Sequence, residues 1–355
     1  MKVLYGVLDW GLGHATRSIP IIRLLRARGC EVRIATSGLA YELLRTEFPE
    51  LTIYPLPSYA VRYARHGLFM MNIFWQLPRL LLVIVREGRA ARNITTEFPA
   101  DLIISDCRYG FRFRGCKSVF ITHQLNFQMP RMLKWLQPVV NLFNHIMINR
   151  FDQVWVPDVQ HGITGTLSRP GWLTEKVRWI GNLSRLPLPT PGLQQEYEVA
   201  VILSGPEPQR TLLENKLVAQ LQLLNLRAVV VRGLPTARAR ERINQIDFHN
   251  YLEGAALANL MQQAAVVVAR SGYSTVMDLM ALGGKAIFIP TPGQTEQELL
   301  AKTLTAQRIA WSAPQHHFDL AVALKKLPDY RGFAEWKHPP NLLPVVVDET
   351  LNSLS

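Results

Sequence analysis

A glycine-rich turn near the amino terminus combines backbone freedom with a titratable side chain. It spans residues 9–17, with the sequence DWGLGHATR, directly after the apolar run 3–8. Gly11 and Gly13 let a ligand approach the backbone closely, and the start of the next helix offers free N–H groups to an anion. His14 lies just past the turn, where an imidazole serves as a general base near neutral pH. A histidine that only satisfies the turn is the structural alternative.

The same turn argues against a nicotinamide or flavin site. A dinucleotide-binding fingerprint needs a third glycine at position 16, which is Thr16. It also needs an acid after the second strand, where the sequence reads Ala35-Thr36-Ser37. Both signals are missing, so we expect no dinucleotide cofactor.

Three further polar turns follow apolar strands in the second half of the chain. In residues 270–275 (RSGYST), Ser271 is expected to cap a helix and Gly272 to leave room for a phosphate at the positive end of its dipole. Asp278 shares a helix face with Ser274 and Thr275, where a carboxylate accepts hydrogen bonds from sugar hydroxyls. A merely solvated polar face is the alternative. The other two turns are 203–210 (LSGPEPQR), with Ser204, Gly205 and Arg210, and 290–298 (PTPGQTEQE), with Gln294, Gln297 and Glu298.

These turns need a scaffold that brings strand ends together, and the hydrophobic pattern predicts one. Continuous apolar strands alternate with helical segments, which is typical of parallel sheets covered on both faces. The predicted strands are 3–8, 31–36, 101–105, 118–122, 153–156 and 177–181, then 200–203, 227–231, 265–269 and 285–289. We therefore predict an α/β fold of two Rossmann-like domains facing a cleft, with ligands beyond the carboxyl ends of the strands. The predicted domains are 1–182 and 199–330, joined by a proline-rich linker at 183–198 and followed by a helical tail at 331–355.

Composition and charge restrict the class of protein. The chain has 355 residues and a net charge of +12, with 48% hydrophobic residues, which excludes a disordered protein. Residues 1–180 hold 23 Lys and Arg against 12 Asp and Glu, whereas residues 181–355 hold 16 against 15. Cys30, Cys107 and Cys116 have no metal-ligand spacing and fit a reducing cytosol. The apolar stretch 67–85 is interrupted by polar residues and proline, so we expect a cytoplasmic protein without a spanning helix.

Two basic stretches of the first half also contain large apolar residues. Six arginines (62, 65, 79, 86, 89 and 92) and one acid, Glu87, lie between Ser58 and Arg92. Residues 127–150 contain Arg131, Lys134 and Arg150 without an acid. Such stretches predict peripheral docking on an anionic membrane surface, and a core-facing helix with a solvated basic side fits equally well. Nucleic acid is disfavoured, because the aromatic residues cluster with aliphatic ones.

Together these turns resemble those of the GT-B glycosyltransferases of family 28. That family includes N-acetylglucosaminyltransferases of peptidoglycan lipid-intermediate synthesis and monogalactosyldiacylglycerol synthases, and the resemblance extends over nearly the whole chain at the level of motifs. The turn Gly11-Leu12-Gly13-His14 matches one that carries the proposed base, so the resemblance makes His14 the catalytic residue. The run Arg270-Ser271-Gly272, then Thr275-Val276 and an acid, is the most specific match and puts Asp278 in the ribose-binding position.

The resemblance also implies roles for other positions. His123, Gln124 and Asn126 lie in a turn similar to the His-Glu-Gln-Asn turn on the acceptor side. Gln297 matches the first of two sugar-contacting glutamines, and Glu298 replaces the second. Backbone groups of residues 251–253, including Leu252, would contact the nucleobase. Pro206 and Pro208 remove N–H donors from the second glycine loop, and we expect Arg210 to compensate by charge.

The resemblance implies a transferase that moves a sugar from a nucleotide-diphosphate donor, most simply a UDP-sugar. The acceptor is unknown, and the basic first half of the chain favours a membrane or lipid-linked one. No DxD acidic pair is present in the sequence, and the resemblance implies no obligatory metal or other cofactor. A nucleotide-sugar hydrolase of the same fold is one alternative, with water in place of the acceptor. A non-catalytic nucleotide-sugar-binding protein is another, since Pro206, Pro208 and Glu298 alter the site. The sequence leaves the donor sugar, the acceptor and the oligomeric state open.

Overall fold

Alternating strands and helices form two separate parallel sheets, which confirms the predicted α/β class. The structure is a computed structural model, and it describes residues 1–10, 12–59, 69–160, 162–187, 189–234, 240–252, 254–334 and 341–354. The chain divides into two compact units. The first comprises residues 1–62, 70–183 and 339–355, and the second comprises residues 63–69 and 184–338.

Seven strands build the sheet of the first unit. They are β1 (Lys2–Val7), β2 (Glu31–Thr36), β3 (Ile53–Pro55), β4 (Leu102–Asp106), β5 (Lys117–Ile121), β6 (Gln153–Val156) and β7 (Val177–Trp179). All neighbours are parallel, in the order β3-β2-β1-β4-β5-β6-β7. Val7 at the end of β1 pairs with Asp106 at the end of β4. The segments that follow these two strands therefore lie side by side at one edge of the sheet.

Four helices of the first unit precede the second sheet in the chain. They are α1 (Leu12–Ala27), α2 (Gly38–Glu47), α3 (Phe69–Glu97) and α4 (Gln137–Ile148). On one face of the sheet, α1 buries Ile19, Ile22 and Leu25 in a core with β1, β2, β4 and β5. On the other face, α3 buries Ala91 and Ile94. Within the described part of the chain, no helix is both long and apolar enough to cross a bilayer.

Helix α1 begins earlier than its apolar spacing predicts. The sequence indicates a helix from Ser18 to Arg28, whereas the helix runs from Leu12 to Ala27 and includes Gly13 and His14. Two hydroxyl groups bond back to the carbonyls of this first part, since Thr16 Oγ1 donates to the Gly13 carbonyl (2.9 Å) and Ser18 Oγ donates to the His14 carbonyl (2.8 Å). His14 is therefore a helical residue directly beyond β1.

The sheet of the second unit also has seven strands. They are β8 (Tyr197–Ile202), β9 (Ala228–Val231), β10 (Arg240–Ile243), β11 (Ile246–His249), β12 (Ala264–Ala269), β13 (Ala286–Phe288) and β14 (Trp311–Ser312). Their order is β10-β11-β9-β8-β12-β13-β14, parallel except for the antiparallel pair β10 and β11. The central strands β8 and β12 are neighbours, so the turns after them lie at the same edge.

Five helices surround this second sheet, and a last helix returns to the first unit. The five are α5 (Gln209–Leu223), α6 (Gly254–Gln262), α7 (Tyr273–Leu282), α8 (Thr295–Ala306) and α9 (Leu320–Lys326). The last helix, α10 (Leu343–Asn352), buries Leu343, Val346, Val347 and Leu351 in the same core as α1. Asp348 on its outer side accepts two hydrogen bonds from Arg28, at 2.6 and 2.9 Å. The carboxyl-terminal helix is thus an integral part of the first unit.

Candidate active site

The first unit brings His14 against a buried carboxylate. His14 Nδ1 lies 2.8 Å from Asp106 Oδ1, and the Asp106 side chain is completely buried. The contact follows from the sheet order, because α1 starts beyond β1 and Asp106 ends the neighbouring strand β4. His14 keeps 17% of its side chain exposed. The pair is therefore an imidazole oriented by a carboxylate, with one edge of the ring accessible.

Arg17 connects this pair to a second histidine. Its Nε donates to Asp106 Oδ2 at 2.7 Å, and its Nη2 makes a short hydrogen bond with Asp106 Oδ1. Its Nη1 lies 2.8 Å from His123 Nδ1, and its Nη2 lies 3.3 Å from Cys107 Sγ. One buried guanidinium thus connects α1 to the ends of β4 and β5, and it brings His123 close to His14 and Asp106.

The charges of this cluster favour an ionised Asp106 and a neutral His14. Burial lowers the pKa of His14, and the Arg17 guanidinium lowers it further, against the opposing effect of Asp106. Burial raises the pKa of Asp106, but Arg17 and His14 outweigh it and hold the carboxyl group well below its usual range. At neutral pH the imidazole is therefore unprotonated on one nitrogen, as a general base requires.

A cation site at the same place is already filled by Arg17. Single ligand atoms of His14, Asp106 and Cys107 lie within 4.8 Å of one another, close enough to share a metal ion. The Arg17 guanidinium bonds both Asp106 oxygens and reaches the Cys107 sulfur, and burial raises the pKa of that thiol to about 11. A metal ion there would meet a buried positive charge, so the donor set favours the guanidinium as its cation.

The other two residues predicted on the acceptor side make local contacts. Asn126 Nδ2 donates to the carbonyls of Thr166 (3.2 Å) and Arg169 (2.7 Å), which joins two loops of the first unit. The Gln124 backbone N–H donates to Thr122 Oγ1 at 3.0 Å. Of the predicted His-Gln-Leu-Asn turn, His123 is thus the member that contacts the His14 cluster through the hydrogen bonds described above.

A second buried arginine braces the loop that precedes the glycine turn. Arg108 is fully buried and pairs with the equally buried Glu87 at 2.7 Å. Its Nε donates to the Val7 carbonyl (2.6 Å), and its Nη2 donates to Ser37 Oγ (2.9 Å) and lies 3.5 Å from Asp9. Burial raises the pKa of Glu87, against the effect of Arg108. Glu87 therefore faces inward and does not offset the arginines on the outer side of α3.

Asp106 and Arg17 were not predicted from the sequence, although the strand order of the sheet and the spacing along the helix both place them beside His14. The predicted strand 101–105 stops one residue short of Asp106, which ends β4. In a doubly wound sheet, the strand beside the first one ends next to the first glycine turn, so an acid there is a signal for a partner of His14. Arg17 lies one helical turn after His14, the spacing that brings two side chains together.

In the second unit, Arg270 ties three predicted donor turns together. It lies directly after β12, is 1% exposed, and donates from Nη2 to the Gln209 carbonyl (2.9 Å). Its Nη1 lies 3.0 Å from the Ile289 carbonyl and 3.2 Å from the Pro290 carbonyl. In the described part of the chain no carboxylate pairs with it and its Nε lacks a partner, and burial lowers its pKa to about 10. This turn thus holds a buried positive charge without a counter-charge.

The predicted N-cap at Ser271 is wrong. Gly272 occupies the N-cap position of α7, and Ser271 is buried and donates its hydroxyl to the Gln297 carbonyl at 2.8 Å. The reason is that Ser271 sits where the turn packs against α8, so its hydroxyl bonds that helix instead of the N–H groups of α7. Gly272 has no side chain that could cap the first turn of α7, and its missing Cβ leaves room beside the positive end of the helix dipole.

Asp278 lies half-buried on α7 together with the half-buried Ser274 and Thr275, which is the face that the sequence predicts. Ser184 donates its hydroxyl to Asp278 Oδ1 at 2.6 Å. Burial raises the pKa of Asp278 to about 6, although Ser184 and Arg185 act in the opposite direction. The carboxylate therefore has a strong tendency to gain a hydrogen-bond donor or a proton.

The turn after β13 is held by side chains of α8. Gln297 Oε1 accepts the Thr291 N–H at 2.8 Å, and Glu298 Oε1 accepts the Gly293 N–H at 3.1 Å. Gln294 occupies the N-cap position of α8. Both side chains with predicted sugar contacts thus also shape the loop. Thr291 is buried, and its hydroxyl has no partner among the described residues.

The role predicted for Arg210 is not supported by its contacts. Arg210 is buried and pairs with Glu207 (2.6 Å) and Glu214 (2.7 Å), so two carboxylates already balance its charge. Ser204 and Gly205 are exposed after β8, and Gly205 has a φ of +99°, which favours glycine. Leu252 is half-buried after β11. Gly11 and Glu253 lie outside the described residues.

Comparisons with known proteins find glycosyltransferase families in both halves of the chain. Residues 210–330 match the glycosyltransferase family 28 C-terminal domain, and residues 1–117 match glycosyl transferase family 1. An uncharacterized glycosyltransferase of Methanopyrus kandleri is 23% identical over 335 residues, 87% of this chain and 92% of the relative. The UDP-N-acetylglucosamine--N-acetylmuramyl-(pentapeptide) pyrophosphoryl-undecaprenol N-acetylglucosamine transferase of Verminephrobacter eiseniae is 24% identical over 334 residues, 86% of this chain and 83% of the relative.

Solved structures match the fold over nearly the full length. The calicheamicin glycosyltransferase CalG4 has a TM-score of 0.68 at 13% identity, covering 99% of this chain and 98% of that chain. A spinosyn rhamnosyltransferase complexed with thymidine diphosphate has a TM-score of 0.66 at 15% identity, covering 99% and 100%. This chain is a family 28-like GT-B glycosyltransferase.

The first unit of this glycosyltransferase exposes two apolar helical faces. One is formed by the 3-10 turn Arg131–Leu136 and α4, with Trp135 74% and Leu142 55% exposed. Its other exposed apolar residues are Met132, Val139, Phe143 and Ile146. The outer side of α3 exposes Leu77, Leu81, Leu82 and Val85 together with Arg79, Arg86, Arg89 and Arg92. Arg62, Arg65 and the side chains of residues 69–75 and Arg131 lie outside the described part.

Proposed function

We propose that this glycosyltransferase moves a sugar from a nucleotide-diphosphate sugar, most simply a UDP-sugar, to a hydroxyl group of a membrane or lipid-linked acceptor without a metal ion. The observation that carries the proposal is the His14–Asp106 pair, an oriented imidazole whose cation site is filled by Arg17. The name of the Verminephrobacter eiseniae relative includes both a UDP-sugar and an undecaprenol-linked acceptor, which supports the choice of substrates.

In the proposed reaction, His14 takes the proton of the acceptor hydroxyl. As the acceptor oxygen bonds the anomeric carbon of the sugar, the bond between that carbon and the phosphate oxygen breaks. The proton goes to His14, and the bonding electrons leave with the diphosphate. Asp106 holds the ring by its Nδ1 edge and stabilises the imidazolium that forms.

The second unit would bind the donor through the turns around α7. The diphosphate would lie beside Gly272 at the amino-terminal end of α7, the positive end of the helix dipole. The buried Arg270 would contribute its uncompensated positive charge. The low polarity around it strengthens its attraction for the diphosphate. Asp278 would accept hydrogen bonds from the ribose hydroxyls. These groups offer the leaving diphosphate a positive environment without a divalent cation.

A thermal-shift panel of UDP-, GDP-, TDP- and CDP-sugars tests the donor site. A donor at 100 times its dissociation constant should raise the free energy of unfolding by about 2.7 kcal/mol. Arg270→Met should abolish the shift, whereas Arg227→Met, which removes a half-exposed arginine of the same unit, should retain it. No shift with any nucleotide sugar would contradict the donor site.

Product analysis with the donor that binds then separates three activities. Transfer to a lipid-linked or membrane acceptor supports the proposal. Release of free sugar at the same rate without acceptor would instead assign a hydrolase, and binding without turnover of any acceptor would assign a binding protein. Assays with and without a chelator test independence from metal, and a loss of turnover that magnesium restores would contradict it.

We also propose that the exposed faces of α3 and α4 dock on an anionic membrane. Charge complementarity supports this docking, since the exposed side of α3 carries four arginines and its acid Glu87 is buried, while Glu97 at the end of the helix pairs with Arg33. Each cation near such a surface contributes about 1 kcal/mol, and buried apolar side chains add to it. The face formed by the 3-10 turn and α4 supplies apolar area. Residues 127–150 around it contain Lys134 and Arg150 but no acid.

Co-sedimentation with vesicles tests this docking. The protein should bind phosphatidylglycerol vesicles at low salt, release at high salt, and ignore phosphatidylcholine vesicles. Replacing Trp135 and Leu142 by serine should weaken binding at least tenfold. The matched control is Leu223→Ser, which removes a leucine that is 84% exposed on the second unit. Equal binding of both variants would contradict the assignment of this face.

A further inference from the structure

Thr291 carries a buried hydroxyl group in the turn after β13. Its side chain is 2% exposed, and its Oγ1 atom has no hydrogen-bond partner in the part of the chain that the structure describes. The backbone of the same residue is bonded, because its N–H donates to Gln297 Oε1 at 2.8 Å and its carbonyl accepts the Gln294 N–H at 3.0 Å. A buried hydroxyl lowers stability unless something bonds it, so this group is available to a ligand.

The hydroxyl of Thr291 faces the glycine turn after β8. Gly205 in that turn is exposed and has a φ of +99°. A Cβ atom placed on Gly205 would lie 3.7 Å from Thr291 Oγ1, and apart from its chain neighbours no other described atom would come within 4 Å of it. A ligand atom can therefore approach the hydroxyl from the side of this glycine, where a side chain would block it.

Arg270 lies between these two turns. The sheet order β8-β12-β13 places its strand in the middle. Its Nη2 donates to the Gln209 carbonyl at the start of α5 (2.9 Å), and its Nη1 donates to the Pro290 carbonyl directly before Thr291 (3.2 Å). Its Nε is buried and has no partner among the described residues. The guanidinium is therefore flanked by the Thr291 hydroxyl on one side and by the open glycine turn on the other.

Two acids in these turns have partners of their own. Glu207 in the turn after β8 pairs with Arg210 at 2.6 Å, and Glu298 of α8 accepts the Gly293 N–H at 3.1 Å. Burial lowers the pKa of Arg270 to about 10, which still leaves the guanidinium ionised at neutral pH. A cation and a hydroxyl donor beside an open space favour an anion with several oxygens, and a phosphate group has this chemistry.

We propose that Thr291 is a donor-binding residue whose hydroxyl group donates a hydrogen bond to the sugar-bearing phosphate of the nucleotide-diphosphate sugar, in the space beside Gly205. The order of groups along α7 favours this phosphate. Asp278 would bind the ribose, and Gly272, more than one helical turn before it, would meet the first phosphate. The second phosphate then lies on the side away from the ribose. The inference rests on the proposed function, because it concerns the same donor.

Calorimetric titrations with UDP, UMP and inorganic pyrophosphate test this assignment. In Thr291→Val a methyl group replaces the hydroxyl with little change of shape, so UDP and pyrophosphate should bind about tenfold more weakly. UMP lacks the second phosphate and should bind the variant and the wild type equally. Thr291→Ser keeps the hydroxyl and should restore the affinity for UDP. If the donor panel selects another base, that nucleotide and its monophosphate replace the uridine pair.

Melting of the ligand-free protein gives a second readout. Because Thr291 Oγ1 is buried and lacks a partner among the described residues, Thr291→Val should melt at the same temperature as the wild type or higher. Thr305→Val is the matched control, since Thr305 Oγ1 bonds Ser312 Oγ at 2.7 Å and the Ala310 carbonyl at 3.1 Å. It should melt at a lower temperature and bind UDP normally. A lower melting temperature for Thr291→Val would show that the hydroxyl is bonded within the fold and would overturn the proposal.

The titrations separate this inference from the proposed function. Binding of UDP by the wild type that Thr291→Val does not weaken refutes the role of Thr291 and leaves the donor site standing. Pyrophosphate binding that depends on the Thr291 hydroxyl, without transfer from any nucleotide sugar, supports the phosphate site and refutes the transferase. A wild-type protein that binds neither pyrophosphate nor any nucleoside diphosphate would refute both.

Discussion

Asp278 provides a direct measure of the free energy that the proposed donor site costs the fold. Its carboxyl group is half-buried on α7, and Ser184 donates to Oδ1 at 2.6 Å. Burial raises its pKa from 3.8 to about 6. Asp278→Asn keeps the shape and the oxygen that Ser184 bonds while removing the charge. We expect this substitution to stabilise the protein above neutral pH.

The magnitude follows from the pKa shift. The folded protein binds the Asp278 proton more tightly than the unfolded chain does, so the free energy of unfolding falls as the pH rises from about 4 to about 6. Above that range the penalty is constant. A pKa difference of about 2 units corresponds to about 3 kcal/mol at 1.4 kcal/mol per unit. The free energy of unfolding of the asparagine variant should therefore equal that of the wild type near pH 4 and exceed it by roughly 2–3 kcal/mol at pH 8.

Urea unfolding followed by circular dichroism at pH 4, 6 and 8 would measure this difference. Asp329→Asn removes an exposed carboxyl group of the same unit and should change the free energy of unfolding by less than about 0.5 kcal/mol at each pH. Calorimetric titration with UDP should show about tenfold weaker binding by Asp278→Asn, because a charged acceptor of the ribose hydroxyls is lost. A stability difference that does not change with pH would refute the reasoning.

Three further predictions concern the first unit. His14→Gln should reduce kcat by roughly 10²- to 10⁴-fold while retaining the donor-induced thermal shift, and an unchanged kcat would remove His14 from the mechanism. Glu87→Gln should lower the free energy of unfolding in urea by about 3 kcal/mol, because Arg108 loses its buried partner, whereas the exposed Glu97→Gln should cost less than about 1 kcal/mol. Gly110→Ala should cost about 1–3 kcal/mol, since its Cβ would collide with the Ile84 carbonyl of α3, and a melting temperature equal to that of the wild type would contradict this clash.

The fold was largely predictable because the strands of parallel sheets are continuous apolar runs. The predicted strands 31–36 and 153–156 coincide with β2 and β6. Strands with a weaker pattern were missed. β10, for example, is exposed along its whole length and pairs antiparallel with β11 at the edge of the sheet, so no burial pattern marks it.

Site residues could be predicted where one turn carries a recognisable combination of residue types. They were harder to predict where contacts between residues distant in the sequence determine their role. Arg270 lies in a predicted turn, but the sequence gives no sign that its charge lacks a partner. Arg210 illustrates the opposite case, because its pairing with Glu207 and Glu214 depends on helix spacing and on a turn that brings the first acid close. Asp106 required the strand order, which is a property of the whole sheet.

The position of α10 has a consequence for how the chain matures during synthesis. Residues 343–352 complete the apolar core beside α1, although the rest of that core is encoded by the first half of the chain. Domains usually fold in the order in which they leave the ribosome. Here the second unit can complete its sheet first. The apolar core beside α1 stays uncovered until α10 packs on it. A nascent chain therefore keeps its first unit unfinished until residues 343–352 have been synthesised.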